Sequence, residues 1–280
     1  MTESAVAMKG KWADLGVRAT SALILIPAVL LDIWMGGVWF ELFMAFLGLL
    51  MAHEWTNIAH KRSSLQFALH AAAVLCAALL PQTVGVVPTI GIVLAITAIG
   101  IAAIFYFQRD KSLFAYAGIP YVALPVLALV LLRSDNVWGI HAIMWLMLVV
   151  WATDTFAYFA GRIIGGPKLA PVLSPKKTWA GLLGGMAGAA LASGIYAACF
   201  LPSWIALAGV AAALAVVAQL GDIFESALKR QFDLKDSGDL IPGHGGVLDR
   251  VDGLVFAGVV AAIIGFVRST SSLAQGLLLW

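Results

Sequence analysis

Uninterrupted apolar runs of about 15 to 24 residues recur along almost the whole chain, and they restrict it to folds built for a bilayer. A helix of that length matches a ~30 Å hydrocarbon core. In lipid, backbone N–H and C=O groups are satisfied only within helices or a closed barrel. Barrel strands alternate apolar and polar residues, and these runs do not. Only 11% of the 280 residues are charged, against ~25% in soluble domains. The fold class expected is therefore an all-α, polytopic integral membrane protein.

Nine spans are expected, at 19–35, 38–57, 67–81, 84–107, 113–132, 138–160, 179–200, 203–224 and 253–268. Breakers such as Gly36-Gly37, Pro81 and Pro202 separate them. The first run lacks a cleavage site and leads straight into the second, so it reads as a retained helix rather than a signal peptide. With the N-terminus in the cytoplasm, fifteen of the seventeen Lys and Arg residues fall on the inner side, leaving only Arg133 and Arg268 outside. This divides the chain into a cytoplasmic segment 1–18, N-terminal helices in 19–132, and a C-terminal region 133–280 with inner loops 161–178 and 225–252. Cys76 and Cys199 sit inside apolar runs and read as packing residues.

Most of the polar chemistry lies in 222–252. Charged groups near a bilayer persist mainly where they work. Asp249 and Asp252 are three apart and share a helical face. Two adjacent carboxylates suit a hard divalent cation, Mg²⁺ or Mn²⁺. The competing reading is helix capping, which accounts for one acid but not for the cluster. Asp222 and Glu225 repeat the spacing at the end of the preceding span, followed by Ser226, Lys229 and Arg230. Acids that hold a metal beside bases that hold phosphates are the division of labour of phosphoryl or nucleotidyl transfer.

The loop between the two acid pairs carries Lys235, Asp236 and the run His244-Gly245-Gly246. Its glycines allow backbone amides to cradle an anion, with His244 as donor or proton carrier; a tight turn with a solvated histidine explains it equally well. In the other loop, Ser174 or Thr178 caps the next helix, and Lys176 and Lys177 form either a phosphate clamp or a positive-inside anchor. Asp154 lies within the sixth span and is a candidate to join the site from a third helix. His53-Glu54, near the inner end of the second span, is a minor candidate.

Ser226-Ala-Leu-Lys229-Arg230, then Lys235-Asp236-Ser-Gly238, then Ile241-Pro242-Gly243-His244-Gly245-Gly246-Val-Leu-Asp249-Arg250-Val-Asp252 resembles the pattern of the phosphatidate cytidylyltransferase (CDP-diacylglycerol synthase) family. Ser174-Pro175-Lys176-Lys177-Thr178 resembles it too. The resemblance implies that CTP and phosphatidic acid give CDP-diacylglycerol and pyrophosphate in phospholipid biosynthesis. It also implies Mg²⁺, a second cation such as K⁺, and a homodimer; the compact chain is expected in a bacterial inner membrane, and the Lys and Arg partition puts its site on the cytoplasmic side. Nucleic acid is not among the expected partners.

On that reading Asp222, Asp249 and Asp252 hold the metal, with Glu225 and Asp154 as further candidates. Lys176, Lys177, Lys229 and Arg250 would neutralise the triphosphate. Ser174, Thr178, Ser226, Arg230, Lys235, Asp236, Gly245 and Gly246 complete the substrate contacts, and His244 joins the catalytic group. Two alternatives stand beside it: a CTP-dependent lipid kinase attacking the γ-phosphorus, and an ion-coupled transporter. Against the transporter, no internal repeat is evident and the charges gather at one face.

Overall fold

The computed structural model describes Leu23 and residues 25–108, 113–240, 245–268 and 271–280. The expectations for His244 and for the basic residues Lys9, Lys11, Arg18, Arg109 and Lys111 lie outside the described residues. The helices are α1 (Leu25–Met35), α2 (Gly37–Ala59), α3 (Ser64–Leu79), α4 (Pro81–Val84), α5 (Val86–Ala103), α6 (Leu113–Arg133), α7 (Gly139–Ile163), α8 (Trp179–Phe200), α9 (Trp204–Gln231), α10 (Leu248–Arg268) and α11 (Leu273–Leu278). A π-helical turn, Ile104–Gln108, extends α5.

Among the described residues, seven helices are long and apolar enough to cross a membrane: α2, α5 with its π turn, and α6 through α10. The third expected span corresponds to the shorter α3, and the first is described from Leu25 to Met35, its residues 19–22 and 24 lying outside the described residues. The all-α expectation needs one amendment. Loop 161–178 contains an antiparallel hairpin, β1 (Lys168–Ala170) and β2 (Ser174–Thr178), with Lys168 opposite Thr178. Its strands are too short and polar to carry a periodic hydrophobic signal.

Helix α6 is the buried axis and packs against α2, α3 and α10. It contains Pro120 and Pro125, which a membrane helix tolerates when neighbouring helices enclose it. From α7 to α10 each helix packs on the next. Lipid tails are as apolar as side chains, so close packing and interhelical hydrogen bonds must join these helices. Trp145 Nε1 donates to Ser193 Oγ at 2.7 Å, and Ser193 Oγ donates to the Leu207 carbonyl at 3.0 Å, linking α7, α8 and α9. Such bonds average ~0.6 kcal/mol in membranes. Cys76 packs against this core, whereas Cys199 is exposed on α8, contrary to its expected packing role.

Two features place polar groups at one end of the bundle. Helix α9 has 28 residues, roughly 42 Å at 1.5 Å per residue, so its polar last turns can pass beyond a ~30 Å core. Where α9 crosses α10, a Cβ on Gly221 would lie 2.5 Å from the Asp252 carbonyl oxygen. Only glycine permits that approach, and it sets Asp222 beside Asp252.

At the α6–α7 connection, Asp135 closes the turn that leads into α7. Its Oδ1 accepts from the Val137 and Trp138 amides, and its Oδ2 accepts from Ser272 Oγ and Gln275 Nε2 beside α11. Burial alone would raise this carboxyl, but the four hydrogen bonds outweigh it and hold the pKa at about 2. A carboxyl held below its unfolded value of about 3.9 contributes stability above that pH and loses it as pH falls toward 2. Asp135→Ala is expected to lower thermal stability at neutral pH by ~1 kcal/mol, the scale of losing a side-chain acceptor at a helix entry. Unfolding in detergent should show the gap from wild type narrowing between pH 5 and pH 2.

Candidate active site

Two groups of charged side chains meet near the C-terminal end of α9. The first joins four elements: Asp154 on α7, Lys177 on β2, Asp222 on α9 and Asp252 on α10. Lys177 Nζ forms an ion pair with Asp222 Oδ2 at 2.5 Å and donates to the Gln219 carbonyl at 3.3 Å. Asp252 interacts electrostatically with Asp222, Asp154 and Lys177. Successive strand residues point to opposite faces, so the two adjacent lysines separate: Lys177 turns inward and Lys176 is exposed. Thr178, rather than Ser174, caps α8, accepting from the Gly181 amide at 3.0 Å.

The second group is built on Asp249. Its Oδ1 pairs with Lys229 Nζ at 2.7 Å, and Lys229 also pairs with Glu225 Oε2 at 2.6 Å. Asp249 Oδ2 accepts from the Ser237 amide at 2.9 Å and the Gly246 amide at 3.0 Å, with Ser237 Oγ also at 2.9 Å. The bond from Gly246, three residues earlier, is a helix-start cap. The acids fall into two groups with different partners. Asp249 caps α10 and holds Lys229, while Asp222, Asp252 and Asp154 gather around Lys177.

Glu54 of α2, a minor candidate in the sequence, lies at the heart of this second group and is only 1% exposed. Oε1 accepts from the Val247 amide at 2.7 Å, and Oε2 from the Leu248 amide at 2.8 Å and Ser237 Oγ at 3.1 Å. The signal available in the sequence was an acid inside an otherwise apolar span. Of the run His244-Gly245-Gly246, expected to cradle a phosphate, the Gly246 amide is committed to Asp249, and the Val247 and Leu248 amides that follow are committed to Glu54. Tyr121 of α6 lies against both groups. It is buried, its hydroxyl has no hydrogen-bond partner among the described residues, and it interacts electrostatically with Glu225, Asp252 and Asp222. Beside it an apolar groove of 280 Å³ opens between α6 and α10, lined by Tyr121, Leu124, Phe256 and Val259 among others.

The remaining expected residues lie around these groups. Arg230 donates to the Leu234 carbonyl at 3.3 Å. Arg250, Lys235 and Asp236 are exposed, Ser226 is half-buried on α9, and Gly245 adopts φ +80°. Among the described residues no three acidic, histidine or cysteine side chains form a ready-made ion cage. Asp154, Asp222 and Asp252, from three helices, nevertheless offer hard oxygen donors beside Lys177. That set fits Mg²⁺, which usually takes one or two carboxylates and completes its shell with water and substrate phosphates.

A bundle of membrane-length helices gathers carboxylates and lysines from hairpin and helix ends, an arrangement suited to an enzyme acting on a phosphorylated substrate. The chain belongs to the cytidylyltransferase family, whose sequence profile matches residues 16–267. It is 42% identical over 256 residues to a phosphatidate cytidylyltransferase of Brucella abortus biovar 1 (strain 9-941), covering 90% of this chain and 93% of that one. It is 33% identical over 250 residues to one from Staphylococcus haemolyticus (strain JCSC1435), covering 86% and 95%. A third, from Rickettsia bellii (strain RML369-C), is 37% identical over 194 residues, covering 65% and 80%. The chain is thus a nucleotidyltransferase of that family.

Gly246 allows the loop to close on the acids. A Cβ there would lie 2.0 Å from Ser237 Oγ and 2.8 Å from both Glu54 carboxylate oxygens. Gly246→Ala is expected to cost about 1–3 kcal/mol of stability, as overpacking does, and to lower turnover at least tenfold. Thermal unfolding and steady-state assay of the same detergent preparation check both.

Proposed function

We propose that this chain is a phosphatidate cytidylyltransferase, converting CTP and phosphatidic acid into CDP-diacylglycerol and pyrophosphate. The observation that carries the reading is the convergence of Asp154, Lys177, Asp222 and Asp252 from four elements, within a chain of cytidylyltransferase sequence. A phosphate oxygen of the lipid attacks the α-phosphorus of CTP. The bond from that phosphorus to the oxygen bridging the β-phosphate breaks, and pyrophosphate leaves with the electron pair. No covalent enzyme intermediate is needed. The work is positioning and charge stabilisation.

Asp222 and Asp252, with Asp154, are the acids placed to hold Mg²⁺ or Mn²⁺. When bound, the metal supplies charge neutralisation for the phosphates. Lys177 and Lys229 lie where they can meet the triphosphate and the leaving group, and the exposed Lys176 and Arg250 sit at the entrance. Asp249 and Glu225 orient Lys229 through their ion pairs. The apolar groove beside Tyr121 takes an acyl chain of the lipid, since it opens between two membrane helices and ends near both charged groups. A K⁺ ion beside the divalent metal, a homodimer, nine spans, a cytoplasmic N-terminus and an inner-membrane site facing the cytoplasm complete the reading.

With CTP labelled at the α- or γ-phosphate, purified protein and added phosphatidate should place only the α-label in lipid. Label transfer from the γ-position would assign a kinase instead. Asp222→Asn and Asp252→Asn should each lower turnover by at least about 10²-fold, the scale expected when a charge-stabilising group is lost. Val259→Trp, which fills the groove, should raise KM for phosphatidate several-fold and leave KM for CTP unchanged; equal changes in both would remove the acyl assignment.

A further inference from the structure

We infer that Glu54 is a positioning residue for cytidylyl transfer, by which the N-terminal half of the protein holds the start of α10 and its acids in register. The inference rests on the reaction proposed above. Glu54 belongs to α2, and its three hydrogen-bond donors lie 183 to 194 residues further along the chain. The first amides of a helix have no intrahelical acceptor. At the start of α10, Asp249 takes the Gly246 amide locally, but the Val247 and Leu248 amides find their acceptor in a buried carboxylate from another helix. Its negative charge also complements the N-terminal end of the α10 dipole.

From Glu54 a continuous chain of contacts leads into the charged site. The Val247 and Leu248 amides that it binds directly precede Asp249. Ser237 Oγ stands between the carboxylates, 3.1 Å from Glu54 Oε2 and 2.9 Å from Asp249 Oδ2. Asp249 in turn holds Lys229, and Asp252 follows one turn later on the same helix. The glycines of the loop fit this role. A Cβ on Gly238 would lie 3.0 Å from Glu54 Oε1, and one on Gly246 would lie 2.8 Å from both carboxylate oxygens. The loop is glycine-rich here so that its backbone can wrap a carboxylate.

Glutamine is the sharpest probe because it has the same shape. A carboxamide offers one acceptor atom and one donor group. In either orientation its NH₂ faces a backbone N–H, so one bond is lost and two donors oppose each other in a buried site. Shifts in the start of α10 should then move Asp249, Lys229 and Asp252 away from productive geometry, which lowers kcat rather than substrate binding.

The test uses full-length protein in detergent with CTP, Mg²⁺ and phosphatidate, comparing wild type, Glu54→Gln, Ser237→Ala and the double variant. Glu54→Gln is expected to lower kcat at least tenfold with both KM values within about threefold. Amide hydrogen exchange at Val247 and Leu248 should accelerate at least tenfold while the α6 interior keeps its protection. Ser237→Ala should lower kcat to a smaller extent and add nothing further in the Glu54→Gln background, because both act through one network. Wild-type kcat in Glu54→Gln, unchanged exchange at the two amides, or strictly multiplicative losses in the double variant would each overturn the inference. If Glu54→Gln fails to fold, Ser237→Ala alone decides: a lower kcat at unchanged KM, with faster exchange at Val247 and Leu248, upholds the inference, and wild-type behaviour overturns it. If the wild type itself makes no CDP-lipid, the proposed reaction fails, and the exchange measurement still tests the hold of Glu54 on α10.

Discussion

A carboxylate or a free helix-end amide has few partners in a chain made largely of hydrocarbon, and this requirement for partners organises the polar end of the molecule. Unsatisfied polar groups are costly where water is scarce. The first amides of α10 are met by Glu54 and Asp249, the charge of Asp249 by Lys229, and that of Asp222 by Lys177. Apart from the local bond between Asp249 and the Gly246 amide, each pairing joins separate segments of the chain. The polar groups therefore act as clasps that draw α2, α9, α10 and the β-hairpin together at one end.

Glycine and proline make those clasps possible. Gly221 lets α9 and α10 approach closely enough for Asp222 and Asp252 to become neighbours, and Gly246 lets the loop close over Glu54. Pro120 and Pro125 are accommodated in α6 because that helix is enclosed on several sides. Tyr121, on the same helix, reaches both charged groups through an aromatic layer with Trp55, Phe224 and Phe256. The apolar packing of the bundle and the geometry of the charged site are thus parts of one arrangement.

The division of acids into two groups gives each a distinct role. Asp154, Asp222 and Asp252 lie around Lys177 and are the acids proposed to hold a divalent metal. Asp249 places one oxygen on a lysine and the other on the start of a helix, which makes it an anchor. Nearness in sequence does not imply a shared role. Lys176 and Lys177 point opposite ways on a strand, and Asp249 and Asp252 serve different groups on one helix.

The sequence alone determined the membrane class, the long helices and the segment that carries the chemistry, because hydropathy is a local property and helix length follows directly from it. It also showed the family, since the motif of 226–252 has a fixed spacing. The short hairpin within 161–178 was not legible, because three- and five-residue polar strands leave no periodic trace. The partition of the acids depended on how α9 crosses α10, and the role of Glu54 on a contact spanning nearly two hundred residues. Those are products of tertiary packing: which carboxylate meets an amide, a lysine or open space is decided only when distant helices come into register.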